Sequence, residues 1–325
     1  MYFVSLPIRL PLIFVVPRFI PVFSFAGLYW KLLIGKILHR SMRSIVSESN
    51  PKECQVLLLG AGGRLGGMLC GHWPRPGALQ KQSRKDLPGM LRFDPLSDTD
   101  ALKEAASCVQ AVVCLSGVTP AHAAATGDAM HLNTDLACAA IAAAPEGVRV
   151  FLASSAAVYG AADGPHLETD PVSPVSSYGA AKRAMEQAAL AHGEGRICVL
   201  RIGNVAGADA ILGGWRAGMT LDRLPDGRTP RRSYIGPKTL ARVIYTLCLA
   251  PEVPQILNIA APGLVEMGDL LDSAGLAWAP RAPQGPMIEE VALGTALLER
   301  LYKFAPDECT SAGMVAQWRE GRERQ

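Results

Sequence analysis

Val56-Leu57-Leu58-Leu59-Gly60-Ala61-Gly62-Gly63-Arg64-Leu65-Gly66 is the stretch on which the fold turns. Four consecutive apolar residues without polar alternation suit a strand buried on both faces. Glycines follow at 60, 63 and 66, with Gly62 as an extra. The first lets the chain turn sharply out of the strand, and the others let the backbone approach a bound group and a helix pack near the sheet. A helix opening at Arg64 turns its free N–H groups and positive dipole end toward this loop, which suits a pyrophosphate. Glycines serve many tight turns, but between a strand and a helix the spacing points to a dinucleotide loop.

Working outward, the pattern alternates. Strands are expected at residues 78–83, 110–115, 148–153 and 197–201, and alanine-rich helices at 100–107, 127–144 and 178–192. This alternation predicts an α/β fold, a Rossmann-type doubly wound parallel sheet with helices on both faces. After Gly207 the regularity stops: residues 225–232 form a basic, turn-rich loop, 237–250 a helix and 255–260 a late strand. The expected organisation is an N-terminal extension over 1–50, a Rossmann domain over 51–207 and a small C-terminal substrate lobe over 208–325, with one strand near 255–260 returning to the sheet.

A chain of 325 residues can bury a large core, and its net charge of +3 is far from the concentrated positive surface of a nucleic-acid binder. A small-molecule partner is expected. Eight cysteines stand without any C-x-x-C pair, most in apolar runs such as Val112-Val113-Cys114-Leu115. They read as reduced thiols of a cytoplasmic protein, with no metal site and no disulfide framework. Residues 1–47 differ, carrying six Lys or Arg and no acidic residue. Arg18, Lys31 and four prolines interrupt their apolar runs, against a spanning helix of ~20 apolar residues. Two readings stay open: an upstream start preceding the native one at Met42, or an interfacial tail over 1–41 that touches a membrane through Tyr29, Trp30 and flanking basic residues.

The chemistry is carried further along. Tyr178 and Lys182 are four apart in Ser177-Tyr178-Gly179-Ala180-Ala181-Lys182, so on a helix they share a face. A neighbouring cation favours phenolate and brings a phenol toward use at neutral pH. The strand at 148–153 runs into Ser154-Ser155, placing a hydroxyl at a strand's carboxyl end, where open parallel sheets bind ligands. About 20 residues past the first glycine a ribose-binding carboxylate is usual. Gln80-Lys81-Gln82-Ser83-Arg84-Lys85 stands there instead, and Ser83 and Arg84 suit a 2′-phosphate. The expected cofactor is NADP or NAD, with NADP favoured.

With these motifs in order, from about Gln55 to Ala260, the chain resembles the extended short-chain dehydrogenase/reductases of the NAD-dependent epimerase/dehydratase family. The resemblance also rests on Asp94 in Phe93-Asp94-Pro95-Leu96, on Leu115-Ser116-Gly117, on Asn133 and on Leu200-Arg201-Ile202-Gly203-Asn204-Val205-Ala206-Gly207. It implies that Gly60, Gly62, Gly63, Arg64, Leu65 and Gly66 cradle the cofactor phosphates, that Asp94 contacts adenine, and that Leu115, Ser116 and Gly117 line the nicotinamide ribose. It further implies that Ser155 hydrogen-bonds the reacting oxygen, Tyr178 exchanges the proton, Lys182 lowers the tyrosine's pKa and holds the ribose, and Asn204 faces the substrate. Arg232, with Arg228 and Arg231, suits a diphosphate or a solvated loop. Glu168 and Asp170 read as loop solvation, and a homodimer through the helices beside the active-site strand is a family habit.

Departures narrow the reaction. Dehydratases of the family place an acidic pair directly after the serine or threonine position, and this chain has Ala156-Ala157. Epimerisation or simple carbonyl reduction and alcohol oxidation remain, on a nucleotide sugar or a small ketone. The alternative is a non-enzymatic NADP-binding or scaffold protein, since fold alone does not establish activity.

Overall fold

A computed structural model of the chain describes residues 55–162, 164–192, 195–285 and 287–323. The N-terminal extension, with its two expected readings, lies outside them. Among the described residues no helix is long and apolar enough to cross a membrane.

Seven strands form one parallel sheet: β1 (Val56–Leu59), β2 (Leu79–Ser83), β3 (Leu91–Arg92), β4 (Ala111–Cys114), β5 (Arg149–Ser155), β6 (Ile197–Ile202) and β11 (Ile256–Ile259). Their order is β11-β6-β5-β4-β1-β2-β3. The strand order reverses between β1 and β4, and that switch point opens a crevice at the carboxyl ends. Val56 and Leu58 bury into one face, with Val113, Phe151 and Leu200, while Leu57 and Leu59 bury into the other, with Val112, Val150 and Leu152. Both faces are covered, which is why the sequence shows continuous apolar runs instead of alternation. Each such side chain contributes about 1.5–3 kcal/mol by leaving water.

Helix α1 (Arg64–His72) packs against the later helix Pro237–Leu249 on one face. On the other face Leu132–Ala143 packs against Ser177–Ala191. The helix expected over 127–144 begins later, at Leu132, and a short helix not expected from the sequence, Pro120–Thr126, N-capped by the Thr119 hydroxyl, precedes it and ends at Gly127 with φ of 77°. A glycine in the left-handed region ends a helix at low cost. Strand β3 was not legible in the pattern because its two residues are both exposed.

Beyond β6 the chain makes short pairings. β7 (Asn204–Val205) pairs with β10 (Tyr234–Ile235), β9 (Arg231–Arg232) lies between Val265–Glu266 and Glu290–Val291, and β8 (Thr220–Asp222) pairs with β13 (Ala279–Arg281). The chain then returns through Pro237–Leu249 to place β11 beside β6 in parallel register, Leu257 opposite Leu200.

Candidate active site

At the switch point the glycine loop presses on the end of β4. Gly60 has φ of 82°, and a Cβ there would lie 2.8 Å from the Ser116 nitrogen. At Gly66 a Cβ would lie 2.2 Å from the Gly60 carbonyl oxygen, so only glycine lets α1 start this close to the strand. Gly63 caps α1 without a side-chain hydrogen bond, leaving the first-turn N–H groups around Arg64 and Leu65 for another acceptor. The Arg64 guanidinium turns away and donates to the Ala208 carbonyl at 3.3 Å. These features fit a dinucleotide pyrophosphate.

The carboxyl end of β2 is organised by Gln82, a residue that sequence reasoning did not single out. It is buried, accepts from the Gly60 N–H at 3.0 Å and donates to the Phe93 carbonyl. A buried glutamine between two strand ends has no signal in a single sequence. Ser83 lies against Gly62, whose Cβ would come 2.6 Å from the serine oxygen, and its hydroxyl accepts from the Lys85 N–H at 3.0 Å. The Arg84 guanidinium stands 3.9 Å from the Asp94 carboxylate, both partly exposed. Asp94 also accepts from the Leu96 N–H at 2.9 Å, closing a local turn.

On the other side of the crevice, β5 ends at Ser155 and a 3-10 turn follows over Ala156–Val158. Helix Ser177–Ala191 is N-capped by Ser176, which accepts from the Gly179 N–H at 3.0 Å. A Cβ on Gly179 would lie 2.4 Å from the Ala157 carbonyl oxygen, so the helix start seats directly on the turn after Ser155. That close approach sets the Tyr178 hydroxyl beside Ser155, whose oxygen accepts from the Ala157 N–H at 3.2 Å. One turn on, Lys182 is 5 % exposed and donates to the Ala153 carbonyl at 2.8 Å. A Cβ on Gly117 would come 3.2 Å from the same ammonium. Asn133 fixes that segment, exchanging hydrogen bonds with the Val118 backbone at 3.1 Å each.

One expectation is corrected here. Lys182 was expected to lower the tyrosine's pKa, but burial raises the Tyr178 phenol and only the Ser155 hydrogen bond works against it. The lysine ammonium is 5.8 Å from the tyrosine ring centre and is committed to Ala153. Its own pKa is pushed down to about 8 by burial, with Cys114 and Glu186 opposing the fall. In this arrangement Tyr178 is a neutral hydroxyl at pH 7.

Behind the site lies a buried polar cluster. Glu186, one turn beyond Lys182, takes a bidentate set of hydrogen bonds from Arg201 and another from the Ser154 hydroxyl, and both charged side chains are 4 % exposed. Arg201 also donates to the Tyr159 oxygen at 3.0 Å and the Glu168 carbonyl at 3.1 Å. The Tyr159 hydroxyl donates to Asn258 at 2.8 Å, and the His166 ring stacks on Tyr159 with centres 4.5 Å apart. Glu168 is not loop solvation: its carboxylate accepts from the Asn258 N–H at 3.0 Å, tying the loop to β11. Asp170 stays local, accepting from the Leu167 N–H at 2.8 Å.

Asn204 follows the carboxyl end of β6 and pairs in strand register with Tyr234, whose hydroxyl donates to Asp209 at 2.7 Å. Of the three arginines considered for a diphosphate, Arg228 is paired with Asp226 and Arg231 with Glu290. Arg232 alone lines a cavity of about 270 Å³ among residues 211–288. Its guanidinium already donates to the carbonyls of Arg231, Ile288 and Glu289.

The chain matches the NAD dependent epimerase/dehydratase family over residues 56–260. It belongs to that family. The match runs from β1 through β11 and so takes in the glycine loop, Ser155, Tyr178, Lys182 and Asn204. No curated protein matches the chain. Solved structures of similar fold include TunA, an NAD dependent NDP-hexosamine 5,6-dehydratase involved in tunicamycin biosynthesis, at 20 % identity and a TM-score of 0.64, covering 84 % of this chain and 98 % of that one. MoeE5 in complex with UDP-glucose and NAD is similar at 22 % identity and a TM-score of 0.63, covering 83 % and 99 %. The UDP-glucose 4-epimerase from Bifidobacterium longum in complex with NAD+ and UDP is similar at 16 % identity and a TM-score of 0.65, covering 83 % and 98 %. At these identities the likeness establishes the epimerase/dehydratase fold.

Proposed function

We propose that this family member is an NAD(P)-dependent oxidoreductase or epimerase acting on a carbonyl or secondary alcohol, with Tyr178 as general acid and base. The observation that carries the reading is the convergence of Ser155, Tyr178 and Lys182 at the carboxyl edge of the sheet, with Gly117 of the loop after β4 beside Lys182. Bound there, a nicotinamide cofactor supplies the hydride chemistry. Tyr178, kept neutral by burial, is primed to donate its proton to a carbonyl oxygen, and Ser155 holds that oxygen. Lys182 would hold the ribose with a charge-assisted hydrogen bond. Ala156 and Ala157 offer no carboxylate for eliminating water, so dehydration is not part of the proposal.

Titrating the protein with NADH and NADPH by nicotinamide fluorescence tests this reading; a folded protein that binds neither overturns it. Ser83 and Arg84, with no carboxylate at the end of β2, favour NADP. Arg84→Ala is accordingly expected to weaken NADPH several-fold while leaving NADH nearly unchanged. Equal losses for both cofactors would sink the 2′-phosphate assignment.

A pH dependence follows from Lys182. Its folded pKa of about 8 lies below the ordinary 10.5, so the ammonium is present below about pH 8 and is lost above it. Cofactor affinity should therefore fall as pH rises through that value. Between about 8 and 10.5 the unfolded chain binds the extra proton, so the stability of the cofactor-free protein should move the opposite way and rise. Fluorescence titrations and denaturant melts across this range check both signs, and Lys182→Met should flatten both.

A further inference from the structure

We propose that Glu186 is a positioning residue of the candidate site: anchored to Ser154 and Arg201, it fixes the register in which the helix of Tyr178 and Lys182 meets β5, and it is the buried counter-charge of the Lys182 ammonium. The inference rests on the reading of Lys182 as the residue that holds the cofactor, and it adds a third member to that helix face.

Tyr178, Lys182 and Glu186 are spaced four apart in helix Ser177–Ala191, so all three turn to one face. Further along the helix, Met185 and Ala189 share a buried cluster with Val150 and Leu152 of β5, and Ser154 is the next residue on the same side of that strand. The Ser154 hydroxyl donates to the Glu186 carboxylate at 2.5 Å, the Lys182 ammonium donates to the Ala153 carbonyl at 2.8 Å, and Tyr178 stands beside Ser155. Three consecutive residues of β5 thus meet three successive turns of the helix. Arg201 of β6 holds the Glu186 carboxylate from the other side, at 2.8 Å and 3.1 Å.

Stability is a poor account of this arrangement. A buried ion pair gains little over apolar residues of the same volume, because both charges leave water. What it adds is register: an apolar face tolerates sliding, whereas a bidentate pair with a third donor fits in one position. Charge gives a second argument. Lys182 is buried and hydrogen-bonded to a neutral carbonyl. Cys114 at the end of β4 lies near it, but burial pushes that thiol up to about 11, so it is uncharged at pH 8. Tyr178, raised by burial, is uncharged there too, as are the side chains of Ser155 and Asn133. Arg201, beyond Glu186, carries the same sign as the lysine. Glu186 is therefore the ionised group that works against burial and keeps the ammonium titrating near 8.

An NMR titration of the full chain with isotope-labelled lysine Cε, run without cofactor, reads Lys182 directly, and Lys182→Met assigns its signal. The native midpoint is expected near 8. Glu186→Gln should lower it, and so should Glu186→Leu combined with Arg201→Met, a double variant that leaves no buried charge unpaired and so keeps the fold where the single does not. A midpoint lower by about one pH unit leaves roughly a tenth of the ammonium at pH 8, where the native protein keeps about half, so cofactor binding at that pH should weaken about 5-fold. A midpoint that stays at the native value in either folded variant overturns the inference, and that is the result if Glu186 only braces the fold. Failure of the native protein to bind NADH or NADPH counts against the hydride-transfer reading alone, because the Lys182 titration is read without them.

Discussion

Tyr178→Phe is expected to cut turnover by roughly 10²–10⁴-fold while leaving cofactor affinity within a few-fold. The ring keeps its place because Gly179 seats the helix start on the turn after Ser155, and loss of one oxygen does not disturb that packing. What disappears is the proton donor, since Lys182 is occupied with Ala153 and cannot take its place. Steady-state rates with an active carbonyl substrate, alongside a fluorescence titration of cofactor, separate the two effects. Full activity in this variant would remove Tyr178 from the chemistry; an equal collapse of cofactor affinity would recast it as a binding residue.

The largest stability effect is expected at Arg201. Arg201→Met leaves Glu186 buried with the Ser154 hydroxyl as its remaining donor among the hydrogen bonds described above. Removing one partner of a buried ion pair costs about 3–5 kcal/mol, because the other charge stays behind. For a domain of this size each kcal/mol shifts Tm by about 2–4 °C, so the midpoint should fall by roughly 6–20 °C. The double variant Arg201→Met with Glu186→Leu should recover a substantial part, as apolar replacement of a whole pair often does. Thermal melts of the two singles and the double close this cycle. Additive losses would show that the pair is not coupled.

The sheet was legible because its strands are buried on both faces. β1 and β4 read as unbroken apolar runs, β5 and β6 each carry one of four residues, β11 is interrupted by Asn258 alone, and the glycine loop after β1 marked both the fold and the family. Short pairings left no such trace: Leu91–Arg92 is exposed and Arg231–Arg232 is half-buried, so neither shows an apolar pattern. Helix Pro120–Thr126 buries no residue fully, so it carries no apolar stripe by which the sequence could show it.

At the candidate site, chain order brought Ser155, Tyr178 and Lys182 together on the page before the structure did so in space. The state of Tyr178 was not legible, because the balance between a nearby cation and burial depends on where the ammonium points. Lys182 points at a backbone carbonyl, and burial prevails. Glu186 and Arg201 are charged residues in a helix and a strand, and nothing in their spacing shows that they neutralise each other out of water. Gln82 is invisible for the same reason, its partners being backbone groups from two other segments.

The return of β11 to the sheet has a consequence for how the protein is made. Ile197–Ile202 emerges from the ribosome well before its neighbour Ile256–Ile259, and until then β6 presents a row of unpaired backbone groups over an apolar strand. The helix that closes over α1, Pro237–Leu249, is also late. A nascent chain stopped at Gly207 would thus hold the complete glycine loop and all three residues of the Ser155–Tyr178–Lys182 set, yet expose one edge and part of one face of its sheet. Such a fragment should aggregate or occupy a chaperone until β11, the last strand of the seven-stranded sheet to be made, covers its open edge.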